Sequence, residues 1–510
     1  MTGIDGYSAA AGGGRGVIAI VVSRADSASA HIGERLLEVG DWEAREDDSR
    51  PDADGGGTYY RTAGFELREF DGLHIRLSDP AAAFDCDPAF LAFVSRHSGE
   101  TGELLTAHVT GNFGGAEYGG DPESLARAAP GAEKRVVDAL ARHAPDGYEV
   151  GIECTHHGPT DVSVPSLFVE LGSDEPQWAD AEAAAAVARA VLDLRGTGAD
   201  LVDEGVDDDA SEARPRHVVG FGGGHYAPRF TRIVRETEWA VGHVGADWAL
   251  ADLGAPAANR DVIDAAFERS RADRAVIDGD RPELAEVVED LGYRVASETW
   301  VREVGDTPLP FVERLEAAIG AVDEGLRFGA VVDEAAGAVD PVEQIRAVPF
   351  VDDPDDADDA AGSGAAVRVR DLPAELLARA QGLDAEAARE AVERVAVAFD
   401  TEQGGTRAAG RVAFAAGPGT PGYGDLVAAL AEVLEADYDA VEVAAGRNAV
   451  VARTDAFDPA LAAERGVPEG PAFGRLADGE PVEVDGETVE PGDVSRTRTD
   501  RFPIDGAALD

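Results

Sequence analysis

The sequence predicts an α/β fold: a mixed or largely parallel sheet flanked by helices, followed by an α+β C-terminal extension. Three observations predict it. Short apolar runs such as 17–22 and 218–221 alternate with longer amphipathic stretches, the pattern of strands connected through helices. Two of these runs end in loops of glycine, histidine and proline, as ligand-carrying strand ends of open α/β sheets do. Beyond about residue 280 the alternation lapses, and helical segments and hairpin patterns take over.

The elements follow in order. Residues 17–22, Val-Ile-Ala-Ile-Val-Val, read as a buried strand, and Asp26 or Ser27 caps a helix that runs to about Val39. Residues 41–57 are charged and glycine-rich, and read as a solvated surface insertion. Residues 88–96 carry helical spacing through Phe90, Leu91, Phe93 and Val94. A strand is predicted at 104–109, an amphipathic helix at 132–143, and a strand at 148–154 leading into the first histidine loop. Residues 166–171 give another strand, and 178–194 an alanine-rich helix. Residues 197–216 contain a run of acids, including Asp207, Asp208 and Asp209, and read as a loop or insertion. The strand at 218–221 leads into the second histidine loop; a helix at 262–271 and a strand at 275–277 close the pattern.

Further on, 282–291 and 310–326 read as helices, and 352–364 as an acidic linker of small residues. Residues 372–398 and 423–437 are helical, and 441–454 and 479–491 read as hairpins. The resulting division is a catalytic core over 1–280, a helical extension over 281–351, the linker, and an α+β domain over 365–510. No repeat of fixed period is visible.

Charge is the second strong signal. Asp and Glu number 100 against 44 Lys and Arg, for a formal net charge of −56. Lys134 is the only lysine. In dilute salt this charge repels itself and weakens the compact state. At molar salt the Debye length falls to about 3 Å and the repulsion is screened. The composition therefore looks like that of the cytosolic proteome of an extremely halophilic archaeon. With 44% hydrophobic residues and clear periodicity, an acidic disordered chain is the poorer reading. The cysteines, Cys86 and Cys154, show no CxxC spacing and fit a reduced cytosolic protein. No window reaches the apolar length of a membrane span, and residues 1–16 lack a signal pattern.

The chemistry concentrates in the two loops. The first is Gly151-Ile-Glu153-Cys-Thr-His156-His157-Gly-Pro159, and the second is Gly220-Phe-Gly-Gly-Gly-His225-Tyr-Ala-Pro228. They hold three of only ten histidines. Histidine moves protons or binds metals near neutral pH. Glu153 can act as a base or fix a histidine tautomer, and three glycines can present backbone N–H groups to an oxyanion. The second loop fails as a Walker loop and as GxGxxG, because His225 stands where the third glycine would fall. Ser95-Arg-His97-Ser98 and His108-Val-Thr-Gly-Asn112-Phe-Gly114 form a third constellation. His108, inside an apolar strand pattern, is a core histidine or a catalytic one; Asn112 orients a water or holds a turn. Glu170 is a carboxylate in an apolar strand and needs a histidine or a metal as partner. His31, His74, His143, His217 and His243 read as surface or structural.

Taken together, these segments in this order, with Phe168-Val-Glu170-Leu-Gly-Ser173 and Trp178 between them, resemble the archaeal and plant type of D-aminoacyl-tRNA deacylase. The resemblance covers about residues 17–280. It implies hydrolysis of the ester between a D-amino acid and the 3′ end of tRNA, and a core similar to the peptidyl-tRNA hydrolase and phosphorylase type. It also implies zinc, with up to two ions per chain.

On this reading the catalytic residues are His156, His157, Glu153, His225, His108 and Asn112. Substrate contacts fall to Gly222, Gly223, Gly224, Tyr226, Phe113, Arg229 and His97. Metal ligands would come from His156, His157, His225 and Glu170. In the expected mechanism His156 or His157 stands beside the attacking water, oriented by Glu153 or Glu170, with the Gly222–Gly224 amides receiving the carbonyl oxygen; zinc-generated hydroxide is the alternative. The partner is the acceptor end of D-aminoacyl-tRNA, engaged by a cytoplasmic monomer with no membrane or DNA. Two other classes compete. A zinc peptidase or amidohydrolase would ignore the tRNA body, and a nucleotide-binding module would use the glycine loop without turnover.

Overall fold

The structure, a computed structural model, describes residues 16–201, 215–332, 335, 350–351, 366–416 and 419–506. The acids at 207–209 and the linker at 352–364 lie outside the described residues. The chain divides into two compact units, Met1–Gly305 and Asp306–Asp510. That boundary falls inside the expected 281–351 extension, so its helices are shared between the units.

In the first unit, ten strands precede residue 173: β1 (Val17–Ser23), β2 (Glu43–Asp47), β3 (Gly57–Thr62), β4 (Phe65–Phe70), β5 (Pro88–Arg96), β6 (Leu104–His108), the short pair β7 (Gly111–Asn112) and β8 (Ser124–Leu125), β9 (Glu149–Ile152) and β10 (Ser166–Gly172). Eight of them make one mixed sheet in the order β2-β3-β4-β1-β5-β10-β6-β9. Its centre, β4-β1-β5-β10, is parallel. β6 runs antiparallel to β10 and parallel to β9.

The helical spacing at 88–96 was misleading: this segment is β5, in the middle of the sheet. Phe90, Leu91, Ala92, Phe93 and Val94 are all fully buried. A strand covered on both faces loses its alternation, and a short apolar run then matches a helical template equally well. The surface insertion at 41–57 is also more ordered than expected, because β2 extends the sheet as a hairpin with β3. Buried Arg68 stands at its base, its Nε 2.7 Å from Glu66 Oε1 and its Nη1 2.6 Å from Asp47 Oδ2. A buried guanidinium is tolerated only when paired in this way.

Helix α1 (Ser27–Val39) starts where Asp26 accepts the amides of Ala28 and Ser29. The other oxygen of Asp26 takes the Arg96 amide at 3.0 Å, which ties this helix start to the end of β5. Helix α2 (Pro130–His143) follows β8. The predicted helix at 178–194 is two helices, α3 (Glu175–Trp178) and α4 (Ala181–Leu192). Asp180 caps the second by accepting the Glu182 and Ala183 amides.

Four further strands form a second, fully parallel sheet: β11 (His217–Phe221), β12 (Ala240–Gly245), β13 (Arg274–Ile277) and β14 (Arg294–Val295), in the order β12-β11-β13-β14. Helices α5 (Pro228–Glu236), α6 (Asp247–Leu253), α7 (Arg260–Ser270), α8 (Pro282–Asp290) and α9 (Glu298–Val304) connect and follow them. The α/β expectation is met.

Glu133, in the first turn of α2, is buried, and its Oε2 has no hydrogen-bond partner among the described residues. Burial raises its carboxyl from the ordinary 4.5 to about 8. Between those values the unfolded chain has released the proton while the folded chain keeps it. Stability therefore falls as pH rises through this window, and the loss is complete above about 8. Glu133→Gln is expected to remove that dependence, raising the melting temperature at pH 8 but not at pH 4.5, by about 2–4 °C per kcal/mol relieved. Thermal melts of both proteins across the window, in one salt, check it.

The second unit has a five-stranded sheet in the order Arg327–Phe328, Ala398–Glu402, Arg407–Ala416, Ala366–Asp371, Phe350–Val351. A three-stranded sheet joins Ala440–Ala444, Ala449–Phe457 and Ser495–Pro503. Both predicted hairpins are present, the second as Val482–Val484 with Glu487–Val489. Helices Ala374–Leu383, Ala385–Glu393 and Tyr423–Leu434 build its core through Leu376, Leu377, Val392, Leu426 and Leu430. The single helix predicted at 372–398 divides at Asp384, whose side chain caps the second piece. Among the described residues no helix is long and apolar enough to cross a membrane.

Candidate active site

Strand alternation assembles the floor of the site. Register pairs Phe168 with His108 and Glu170 with Thr106 across β10 and β6, and Glu170 with Ser95 across β10 and β5. Residues two apart share a face. One face therefore presents Ser95, Thr106, His108, Phe168 and Glu170 together.

The first histidine loop leaves β9 and is stitched down at once. Glu153 donates its amide to Ala107 O, Cys154 to His225 O, and Thr155 to Val244 O, at 2.8–3.0 Å. The loop is thus fixed between the two sheets and against the second histidine loop. His243 sits below it, with Nδ1 3.1 Å from Thr155 Oγ1 and Nε2 2.8 Å from Ala126 O, a structural role as expected. His74 and His217 are likewise buried, with Ser29 Oγ and Ser270 O as partners.

Glu153 is the hub. It is buried, and its Oε1 accepts from Thr106 Oγ1 at 2.5 Å and lies 3.0 Å from His97 Nδ1. Its Oε2 lies 2.7 Å from His225 Nε2 and 3.8 Å from His156 Nε2. Glu170 accepts from Ser95 Oγ at 2.6 Å and has His97 Nδ1 at 3.6 Å and His108 Nε2 at 3.5 Å. Burial alone would push both carboxyls up, but the hydrogen-bonding histidines overcome it and hold both well below the usual range. For His97 burial favours the neutral ring, yet its bonds to Glu153 and Glu170 raise it to about 11.

A second cluster is built from imidazoles. His156 Nδ1 lies 2.8 Å from Cys154 O, His157 Nδ1 2.6 Å from Gly158 O, and His108 Nδ1 3.2 Å from Val109 O. A carbonyl only accepts, so each Nδ1 carries a proton; His156 and His157, neutral, keep the Nε2 lone pair, whereas Glu170 faces Nε2 of His108. The candidate ligand atoms of these three rings lie within 4.8 Å of one another. Buried His108 Nε2 has no hydrogen-bond partner among the described residues. Burial keeps His156 well below its ordinary value and His157 down at about 4, which leaves both neutral. His108 is pulled the other way by Glu170, against its own burial. Backbone-anchored rings with converging lone pairs suit a borderline divalent metal such as zinc. Cys154, His156 and His225 form a second such trio, and His97, Glu153 and His225 a third.

The structure relocates several expected substrate contacts. Gly222 uses its amide on Gly245 O at 2.8 Å and has φ +96°; a Cβ there would fall 2.2 Å from Asp278 O. It is a turn residue, and only Gly223 and Gly224 keep amides without an acceptor among the described residues. Phe113 is buried beside Phe221 and Leu250 in the core of the second sheet, so it offers no surface to a base. Arg229 is engaged by Glu298, Asp278 and the Ile277 carbonyl. Asn112 donates from its side-chain amide nitrogen to Gly119 O and Asp121 O, which holds a turn. Tyr226 is 38% exposed, with Oη 3.2 Å from His97 Nε2.

Two participants escaped the sequence reading. Cys154, Sγ 3.5 Å from His225 Nδ1, was set aside for lacking CxxC spacing, although its place two residues before His156 was a signal. Thr106 becomes visible only through strand register, which sets it opposite Glu170.

Comparison with known proteins places these features in context. The family model described as D-aminoacyl-tRNA deacylase matches residues 84–296. A D-aminoacyl-tRNA deacylase of Halorubrum lacusprofundi is 69% identical over 508 residues, covering 96% of this chain and 97% of its own. One from Natronomonas pharaonis is 51% identical, over 95% of this chain and all of its own. One from Methanoregula boonei is 33% identical, over 87% and 91%. The crystal structure of a conserved protein of unknown function, 31% identical, covers 56% of this chain and 96% of its own with a TM-score of 0.48.

Proposed function

The chain belongs to the D-aminoacyl-tRNA deacylase family, and from that membership we propose that the Glu153–His225 pair hydrolyses the ester of D-aminoacyl-tRNA to free D-amino acid and tRNA. The observation that carries the assignment of roles is the 2.7 Å contact between His225 Nε2 and Glu153 Oε2. Glu153, held ionised, accepts the Nε2 proton and leaves Nδ1 as the basic nitrogen of His225. His225, with 31% of its side chain accessible, is more exposed than His156 at 17%. It takes the proton of the attacking water and returns one to the departing 3′ oxygen of the terminal ribose. We assign the Gly223 and Gly224 amides, next to it in the chain, to the charge that develops on the carbonyl oxygen.

This moves the base from His156 or His157 to His225. The tautomers of His156 and His157 support a different role, metal ligation with His108. Zinc bound by these three rings would polarise the ester carbonyl or acidify a water. Glu170, whose Oε1 lies 3.5 Å from the same His108 Nε2, faces the ligating end of that ring and would stand beside the metal as an oxygen donor. The first and second trios share His156, so that ring serves one of them at a time.

For the tRNA partner, phosphate contacts are a poor source of affinity on a chain of net charge −56 in concentrated salt. Recognition of the single-stranded acceptor end by stacking suits it better, and Tyr226 is the exposed aromatic ring beside His225.

The test is release of D- and L-tyrosine from charged tRNA in concentrated potassium chloride, before and after chelator treatment. Release of the D form alone is the expected result. Equal release of both, or equal cleavage of a simple peptide amide, overturns the assignment. Loss of activity with chelator and its return with zinc is expected for the metal; full activity after complete metal removal overturns that part alone.

A further inference from the structure

We infer that His97 is a positioning residue: it clamps Glu153 from the side opposite His225 and, through Tyr226, holds the glycine loop that carries His225 in register with the carboxylate. The inference rests on the role just given to the Glu153–His225 pair.

Glu153 is gripped at both oxygens, by His97 Nδ1 at 3.0 Å on Oε1 and by His225 Nε2 at 2.7 Å on Oε2. The far nitrogen of His97 meets Tyr226 Oη at 3.2 Å. His225 and Tyr226 are adjacent in the chain. The result is a closed ring in which two neighbouring side chains of one loop are tied to one carboxylate, one directly and one through His97. Without His97, Oε1 of Glu153 keeps Thr106 alone, and the carboxylate is held less tightly about its last bond. His225 would lose both its fixed acceptor and its neighbour's anchor.

His97 is poorly suited to touch substrate. It is only 4% exposed, and both ring nitrogens are occupied within the protein. Its own placement is fixed from the backbone: its amide donates to Leu171 O at 3.0 Å, and its carbonyl accepts from Trp178 Nε1 at 2.9 Å. Two glycines leave room for the ring. A Cβ on Gly172 would stand 2.8 Å from His97 Cβ and Cδ2, and one on Gly99 would stand 2.9 Å from both His97 Nε2 and Tyr226 Oη. The expectation that His97 binds substrate is thereby replaced by an action through Glu153 and Tyr226. It also stands between two buried carboxylates, with Nδ1 3.0 Å from Glu153 Oε1 and 3.6 Å from Glu170 Oε2.

The experiment is steady-state deacylation of D-tyrosyl-tRNA by the full chain in molar potassium chloride. His97→Ala is expected to lower kcat by about 10- to 100-fold with KM within about twofold. His97→Asn, whose Nδ2 can replace the donor to Glu153, is expected to recover most of that loss. In a double-variant cycle, His97→Ala with Glu153→Gln is expected to be no worse than Glu153→Gln alone. Tyr226→Phe keeps the ring for stacking and removes only the tether; kcat should fall by about three- to tenfold with KM unchanged. A rise in KM at constant kcat in the His97 variants would mean substrate contact. Multiplicative losses in the cycle would mean independent action. Unchanged kcat in Tyr226→Phe, a substitution at an exposed side chain that spares the core, overturns the tether even where His97 variants fold poorly. If the parent enzyme itself fails to release D-tyrosine, it is the assigned reaction that falls.

Discussion

Replacing His225 with alanine is expected to slow ester hydrolysis by at least about a hundredfold, the lower end of what a positioned proton-transfer group contributes. The loss should appear in kcat, because the ring is held by protein atoms before substrate arrives. Its Nε2 is bonded to Glu153, and its backbone carbonyl takes the Cys154 amide. Alanine removes the base and leaves the buried Glu153 carboxylate with one imidazole fewer. Single-turnover measurement at saturating D-tyrosyl-tRNA isolates the step. His156→Ala and His157→Ala are expected to cost about as much, by a different route, because each removes one of three rings whose candidate ligand atoms lie within 4.8 Å of one another. Added zinc therefore distinguishes the two classes. It should restore part of the activity of the His156 and His157 variants and none to His225→Ala. Full activity in His225→Ala removes it from the mechanism.

Most of the site was legible because its residues cluster in two short loops, each at the end of an apolar run. Glu153, His156, His157 and His225 needed no register to be found. What the sequence could not show was direction. His97, read as a substrate contact, turns inward because the β5–β10 pairing sets its backbone beside Leu171 and points its ring at two carboxylates. Phe113, read as a substrate contact, is buried because it packs with Phe221 and Leu250 in the core of the second sheet. Arg229 looked available until Glu298, sixty-nine residues later, closed on it. The fold was readable to the same depth. Amphipathic helices and hairpins announce themselves by period, whereas β5, covered on both sides, carries no period of its own, and neighbours far away in sequence decide its state.

The second large effect concerns the solvent. Lowering potassium chloride from molar concentration to about 0.1 M, where the Debye length grows to about 10 Å, is expected to unfold the chain. The net charge of −56 makes repulsion long-ranged, and the ion pairs show how scarce cations are. Arg24 serves Glu69, Asp52 and Asp71 at once, each at 2.9–3.0 Å, so that even a well-paired surface cluster stays net negative. Arg302 is divided in the same way between Glu236 and Glu298. Such partly exposed pairs contribute little each, and 44 basic residues cannot neutralise 100 acidic ones. Circular dichroism along a potassium chloride series measures the result, and the shape of the curve carries the mechanism. Screening is nearly complete at about 1 M, where the Debye length is about 3 Å. If Coulomb repulsion is what salt relieves, stability should climb steeply up to that point and then level. Continued gain well beyond it would assign the dependence instead to salt-strengthened apolar burial. Equal stability at both ends of the series would show that the acidic surface is not a salt adaptation.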